Sequence, residues 1–220
     1  MIKACIFDMD GTVANTLNSI AYFANNALTK ANLPSIDTEM YKVLVGDGAK
    51  VLVERMLDYV GASRDRYNEV AGVYNSTYNA DFLYLTEPYE GIIDMLLELQ
   101  KMGIKIAIFS NKPHETAIKV SDALFPEGMI DICYGARKNV ALKPDPQGAF
   151  EILEKLDLKP EECLYIGDTG TDMMTGKAAN LYTIGVLWGF RGREELEKNG
   201  ADVIITRPAE IIDIVKKVNF

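Results

Sequence analysis

Apolar positions along the chain follow two rhythms. Residues 2–7 form a short, mostly apolar run that stops at Asp8-Met9-Asp10-Gly11-Thr12, as expected of a buried strand delivering a polar loop. From about 15 to 87 the spacing is helical. Ile20, Phe23, Ala24, Ala27 and Leu28 stripe one face, and Val51, Leu52, Met56, Leu57 and Val60 another that Gly61 closes. A third run, 64–79, carries Tyr67, Val70, Ala71, Tyr74 and Tyr78. After Pro88 the two periods alternate. Strands are expected at 104–109, 130–134, 163–166, 183–187 and 203–205. Helices are expected from Ile92 to Gly103 and at 114–124, 147–156, 172–179 and 209–217.

Apolar strands separated by amphipathic helices predict an α/β fold, a parallel sheet covered by helices on both faces. The helical stretch interrupts that series after its first strand. The expected division is therefore a core of residues 1–14 and 88–220 and an inserted helical lobe of residues 15–87.

Composition narrows the chemistry. The 220 residues are 48% hydrophobic and 25% charged, ordinary for a soluble globular chain. The formal charge of −9 repels phosphate polymers and anionic lipid heads, so neither nucleic acid nor a membrane is an expected partner. With one histidine, His114, histidine-rich metal sites are excluded within one chain. Cys5, Cys133 and Cys163 are odd in number and set among apolar neighbours, which predicts reduced thiols in a soluble, cytoplasmic protein. Carboxylates must carry the chemistry.

In an open α/β sheet, ligands bind beyond the carboxyl ends of the strands. Asp8 and Asp10 follow the first strand, Ser110 the second and Asp168 a later one, while Lys143 sits in a loop stiffened by Pro144 and Pro146. Singly, each has a plain structural reading as a helix cap or a solvated charge. Together and in this order, they resemble the haloacid dehalogenase superfamily, in its phosphatase branch, over essentially the whole chain. Asp8-Met9-Asp10-Gly11-Thr12 matches the first motif and Ser110-Asn111-Lys112 the second. Lys143-Pro144 matches the third, and the run from Gly167-Asp168 to Asp172 the fourth. The resemblance implies a Rossmann-like α/β core with an inserted helical-bundle cap.

It also implies roles. Asp8 would be the nucleophile that forms an aspartyl-phosphate. Asp10 lies on the same side of an extended segment and would protonate the leaving oxygen, then activate water. Mg2+ would be held by Asp8, the main-chain oxygen of Asp10 and Asp168, with Asp172 in support. Lys143 and Ser110 would face the phosphoryl oxygens, within a cradle of backbone amides around Gly11, Thr12 and Asn111. Dehalogenating members lack the second aspartate, so Asp10 favours phosphate esters. Two departures stand out: Asn15-Thr16 where relatives often carry Asp-Ser, and Asn180 where glycine is common.

A closed cap leaves room for a small molecule, so the expected partner is a small phosphate ester bound by a monomer or homodimer. The stretch 45–55 resembles bacterial phosphoglycolate phosphatases, and there Lys50 could offset a substrate carboxylate or simply be a solvated helix residue. Arg55 is expected in a cap salt bridge, His114 as a helix-start residue or in contact with solvent or substrate, and Trp188 at the rim of the site or packed against the terminal helix. The cap tyrosines are expected mostly as core. The expected reaction is Mg2+-dependent hydrolysis of 2-phosphoglycolate. A pyrophosphatase, a sugar- or nucleotide-phosphate phosphatase, a mutase and a non-catalytic phosphate-ester-binding regulator are the alternatives.

Overall fold

Strand β1 (Ala4–Phe7) lies near the middle of a parallel sheet, and every side chain in it is inaccessible to solvent. Burial on both faces is why this strand reads as continuously apolar rather than alternating. Its neighbours are β4 (Lys105–Pro113) and β6 (Cys163–Gly167). Outward from these lie β5 (Ile132–Ala136) on one side and β7 (Tyr182–Val186) and β8 (Val203–Ile205) on the other. In this computed structural model, which describes residues 1–219, all six strands are parallel.

Alternate β1 residues feed the two faces. Cys5 and Phe7 pack with α5 (Ile92–Lys101), α6 (His114–Leu124) and α10 (Ala209–Asn219). Ala4 and Ile6 pack with α7 (Gln147–Leu156) and the end of α8 (Gly170–Ala178). The strand extends further than the apolar run of β4 suggested, because residues 110–113 stay extended and rejoin β5 at Ala136 after a register shift. That extension carries the polar segment Ser110-Asn111-Lys112. Asn180 takes a φ of 58°, the left-handed conformation that asparagine tolerates.

The chain leaves and re-enters the sheet layer through a short antiparallel pair, β2 (Ala14–Asn15) and β3 (Glu87–Pro88). Between them run α1 (Leu17–Lys30), α2 (Tyr41–Leu44), α3 (Ala49–Tyr59) and α4 (Tyr67–Ala80). Their apolar faces meet in one cluster around Phe23, Leu28, Tyr41, Met56 and Leu57, which Phe190 joins from the sheet layer. The sequence pattern did not indicate β2, β3, α2 or α9 (Arg193–Lys198). Each is too short for a period, and α9 buries only Leu196.

The cysteines are free, and burial pushes the Cys133 and Cys163 thiols up to about 12. Among the described residues, no helix is long and apolar enough to cross a membrane.

Ile108 is fully buried in β4 beside Phe7 of β1. Ile108→Ala should cost about 2–5 kcal/mol in urea unfolding, because the sheet cannot collapse into the space left. A loss below about 1 kcal/mol would mean that the covering helices repack freely.

Candidate active site

The central strands end in a shared polar pit. Asp8 follows β1, and the loop after it is drawn tight by the Met9 carbonyl, which accepts from the amides of Thr12, Val13 and Ala14. Gly11 has a φ of +89°, and a Cβ there would collide with the Asp168 carboxylate, so this position needs glycine. Asp168 follows β6. Its Oδ1 accepts from Thr12 Oγ1 at 2.9 Å and its Oδ2 from the Phe190 amide at 2.8 Å. Asp172 sits in the first turn of α8, where Thr169 caps the helix and donates to Asp172 Oδ2 from both its amide and its hydroxyl.

Lys143 joins these groups. Its ammonium lies 2.7 Å from Asp8 Oδ1 and 2.7 Å from Asp172 Oδ1, all three side chains being buried. Asn111 fixes its backbone in both directions. The Asn111 Oδ1 accepts from the Lys143 amide at 2.8 Å, and the Nδ2 donates to the Lys143 carbonyl at 3.1 Å. A second ammonium, Lys112, lies 3.0 Å from each oxygen of Asp10 and 4.8 Å from the centre of the Tyr78 ring. The Ser110 hydroxyl accepts from the Lys112 amide at 3.2 Å.

Electrostatics follow from this crowding. Burial first, and then the Asp172 charge, push the Asp8 carboxyl up to about 7 against the pull of Lys143. Burial and the charges of Asp172 and Asp8 hold Asp168 well above the usual carboxylate range. For Lys143 burial works against the charge, but Asp172 and Asp8 outweigh it and keep the ammonium protonated. Lys112 is held charged in the same way, chiefly by Asp10.

Carboxyl oxygens of Asp8, Asp168 and Asp172 lie within 4.8 Å of one another. Asp8 Oδ1 meets Lys143 as an ion pair but accepts no directed hydrogen bond. A buried, all-oxygen donor set with excess negative charge and an unsatisfied oxygen fits a divalent cation. The Asp10 carboxylate is committed to Lys112 and is not part of this group.

The pit opens into a cavity between the sheet and the helical layer. Asp8, Asp10, Ser110, Asn111, Lys112 and Thr116 line it from below, and Ile20, Val45, Leu52, Tyr74 and Tyr78 from above. Polar bonds close the layers together. Asn111 donates to the Gly46 carbonyl at 3.2 Å, Arg191 to the Val45 carbonyl at 2.9 Å, and Thr171 to Asp47 at 3.0 Å. At the other end Thr116 donates to Asn79 at 3.0 Å.

Asp8, Asp10, Gly11, Thr12, Ser110, Asn111, Lys143, Asp168 and Asp172 thus converge. Lys50 does not. Its side chain is 76% exposed and lies 3.9 Å from Glu54, one turn on along α3. The helix starts at the cavity, but Lys50 leaves it on the solvent face. Trp188 is also displaced from the expected rim, since its indole donates to the Thr12 carbonyl at 2.9 Å and braces the loop from behind. Arg55 pairs with Asp47, and His114 opens α6, accepting from the Gly135 amide.

Of the tyrosines in the helical stretch, Tyr41, Tyr74 and Tyr78 are buried, whereas Tyr22 and Tyr59 are half exposed. Tyr74 and Tyr78 are core and cavity wall at once. The sequence reading gave Lys112 no role of its own. Its signal was the two-residue step from Ser110, which puts both on one side of an extended segment.

A carboxyl with a folded pKa of about 7 and an ordinary value of 3.8 favours the folded state when protonated. That contribution is complete below about pH 4 and lost as the pH rises through 7. Chelator-treated protein should therefore lose thermal stability across that window, Mg2+ should restore it on the alkaline side, and Asp8→Asn should flatten the profile. Tm that is independent of both pH and Mg2+ would contradict the charge cluster.

The model of the haloacid dehalogenase-like hydrolase family matches residues 5–186. The phosphoglycolate phosphatase of Aquifex aeolicus is 28% identical over 97% of this chain and 97% of its own length. That of Haemophilus influenzae is 26% identical over 95% of this chain and 96% of its own. A solved structure from Lactobacillus delbrueckii subsp. bulgaricus superposes with a TM-score of 0.91 at 31% identity, covering 97% of this chain and 98% of the other. The sheet, the order of the four polar segments and these matches together make the chain a member of the haloacid dehalogenase-like hydrolases.

Proposed function

We propose that this protein is a Mg2+-dependent phosphatase that hydrolyses small phosphate monoesters through an aspartyl-phosphate on Asp8, with 2-phosphoglycolate as its substrate. The observation that carries the chemistry is the pairing of Asp8 and Asp10 at one strand end, Asp10 held by Lys112 and Asp8 by Lys143, which it shares with Asp172. The names of the relatives from Haemophilus influenzae and Aquifex aeolicus support the substrate. Residues 15–87 would be the cap over a core of residues 1–14 and 88–220, with the paired crossings Ala14–Asn15 and Glu87–Pro88 as its hinge. Three free thiols fit a reducing, cytoplasmic compartment.

Asp8, Asp168, Asp172 and the Asp10 main-chain oxygen would hold the cation. When bound, Mg2+ neutralises charge between a carboxylate nucleophile and a phosphate dianion. The remaining work falls to the chain itself. Asp8 attacks phosphorus, and the ester oxygen leaves as Asp10 gives it a proton. Asp10 then takes a proton from the water that cleaves the acyl-phosphate. Lys143 keeps a fixed positive charge beside Asp8, and the Ser110 hydroxyl receives a phosphoryl oxygen, while the Gly11 and Thr12 amides close the turn on the Ala14 and Met9 carbonyls. The cap excludes water that would compete with the ester oxygen for protons.

A panel of phosphate esters assayed with Mg2+ should give 2-phosphoglycolate the highest kcat/KM, with activity lost to chelator and inhibited by Ca2+. A higher value for pyrophosphate or a hexose phosphate would reassign the substrate. Asp8→Asn should abolish turnover of every ester. Asp10→Asn should slow alkyl esters by about 10²–10⁴-fold, and nitrophenyl phosphate, whose leaving group needs little protonation, far less in the first step. Equal first-step losses for both would remove Asp10 as the general acid.

A further inference from the structure

The machinery around Asp8 accounts for the phosphoryl end of a substrate but leaves open what meets its other end. The helical layer contributes apolar side chains, the amides of Asn75 and Asn79 and the backbone of Gly46 and Gly48 to the cavity, but no cation. Lys50 faces solvent, Arg55 is committed to Asp47 and the Leu44 carbonyl, and Arg191 to Glu195 and the Val45 carbonyl. Lys143 is occupied between Asp8 and Asp172. Among the described residues, Lys112 is the one cation that lines the cavity, with its side chain 5% exposed.

We propose that Lys112 determines specificity, its ammonium receiving the carboxylate of a short phosphorylated carboxylic acid. The inference rests on the phosphatase reading and supplies it with the group that Lys50 does not provide. Three features favour it. Lys112 leaves the same extended segment as Ser110, two residues along, so a ligand reaching both spans only a few atoms. Its present partner, Asp10, is itself a cavity residue, so the ammonium is on the side from which a substrate anion would approach. The wall above it is the Tyr78 ring, with Tyr74 beside it, a desolvated setting in which a charge-assisted contact is stronger than in water. A neutral alkyl ester gains none of this. A purely positioning role on Asp10 would affect alkyl esters with and without the carboxylate alike, and this separates the two readings.

Ethyl phosphate matches 2-phosphoglycolate in length, with a methyl group in place of the carboxylate. Wild-type protein should favour phosphoglycolate. If it hydrolyses neither ester or prefers ethyl phosphate, the functional reading fails before any variant is made. Given that preference, Lys112→Met should lower the phosphoglycolate to ethyl phosphate ratio of kcat/KM by about 10–100-fold, mostly through KM, and Lys112→Arg should restore part of it. Equal losses for the two esters, or none, would overturn the proposal. A second measurement needs no variant. Against nitrophenyl phosphate turnover, 3-phosphonopropionate should inhibit the wild type at least about tenfold more tightly than propylphosphonate. Equal inhibition constants would overturn it as well.

Discussion

Lys143, lodged between Asp8 and Asp172, is the charge that lets a cluster of carboxylates exist at the end of a parallel sheet. Taking an ion out of water costs several kcal/mol even after the protein relaxes. Asp8, Asp168 and Asp172 are all buried, and among the described residues only Lys143 offers two of them a direct counter-charge. The remaining oxygens are held by directed bonds from Thr12, the Phe190 amide and Thr169. Even so, burial and then the Asp172 charge push the Asp8 carboxyl up to about 7, so added positive charge beside the cluster is favourable.

The rest of the fold fixes that lysine and covers it. Asn111 grips the Lys143 backbone at both its donor and its acceptor, and its amide also reaches Gly46 in the helical layer. One side chain therefore links the charge cluster to the helical layer above it. Loop 45–48 takes further bonds from Arg191 and Thr171, the latter in α8 beside Asp172. From behind, Trp188 braces the Thr12 carbonyl, while Gly189 packs too tightly against Gly11 and Asp168 to admit a side chain. Substituting this scaffold would be felt at the carboxylates, although none of its residues touches a reacting atom.

Much of this was legible in the sequence because two strong signals coincide. Short continuous apolar runs mark the strands, and a parallel sheet sends all their carboxyl ends to one side, so Asp8, Ser110 and Asp168 had to converge. The helices at 114–124 and 147–156 and the strand at 203–205 begin and end where their stripes do. What failed was the azimuth of single side chains. Lys50 and Lys112 are both lysines beside a predicted site, and only the packing of α3 into the helical layer, through Leu52, Val53, Met56 and Leu57, turns the first to solvent. The β2–β3 crossing, two residues on each strand, carries no periodicity that a sequence could display.

The lysine pairs also set a constraint on any reaction cycle. Lys112 holds both oxygens of Asp10 at 3.0 Å, a geometry suited to a carboxylate and not to an acid about to give up a proton. If Asp10 is to protonate a leaving oxygen, Lys112 has to release at least one of those oxygens. The side chain is nearly buried, and the Tyr78 ring beside it accepts only a weak cation–π contact. With the ammonium this little exposed, a negative group entering with the ligand is the natural replacement for the contact that Asp10 gives up. The residue that recognises the far end of the ester and the residue that releases the proton are then two ends of one ion pair.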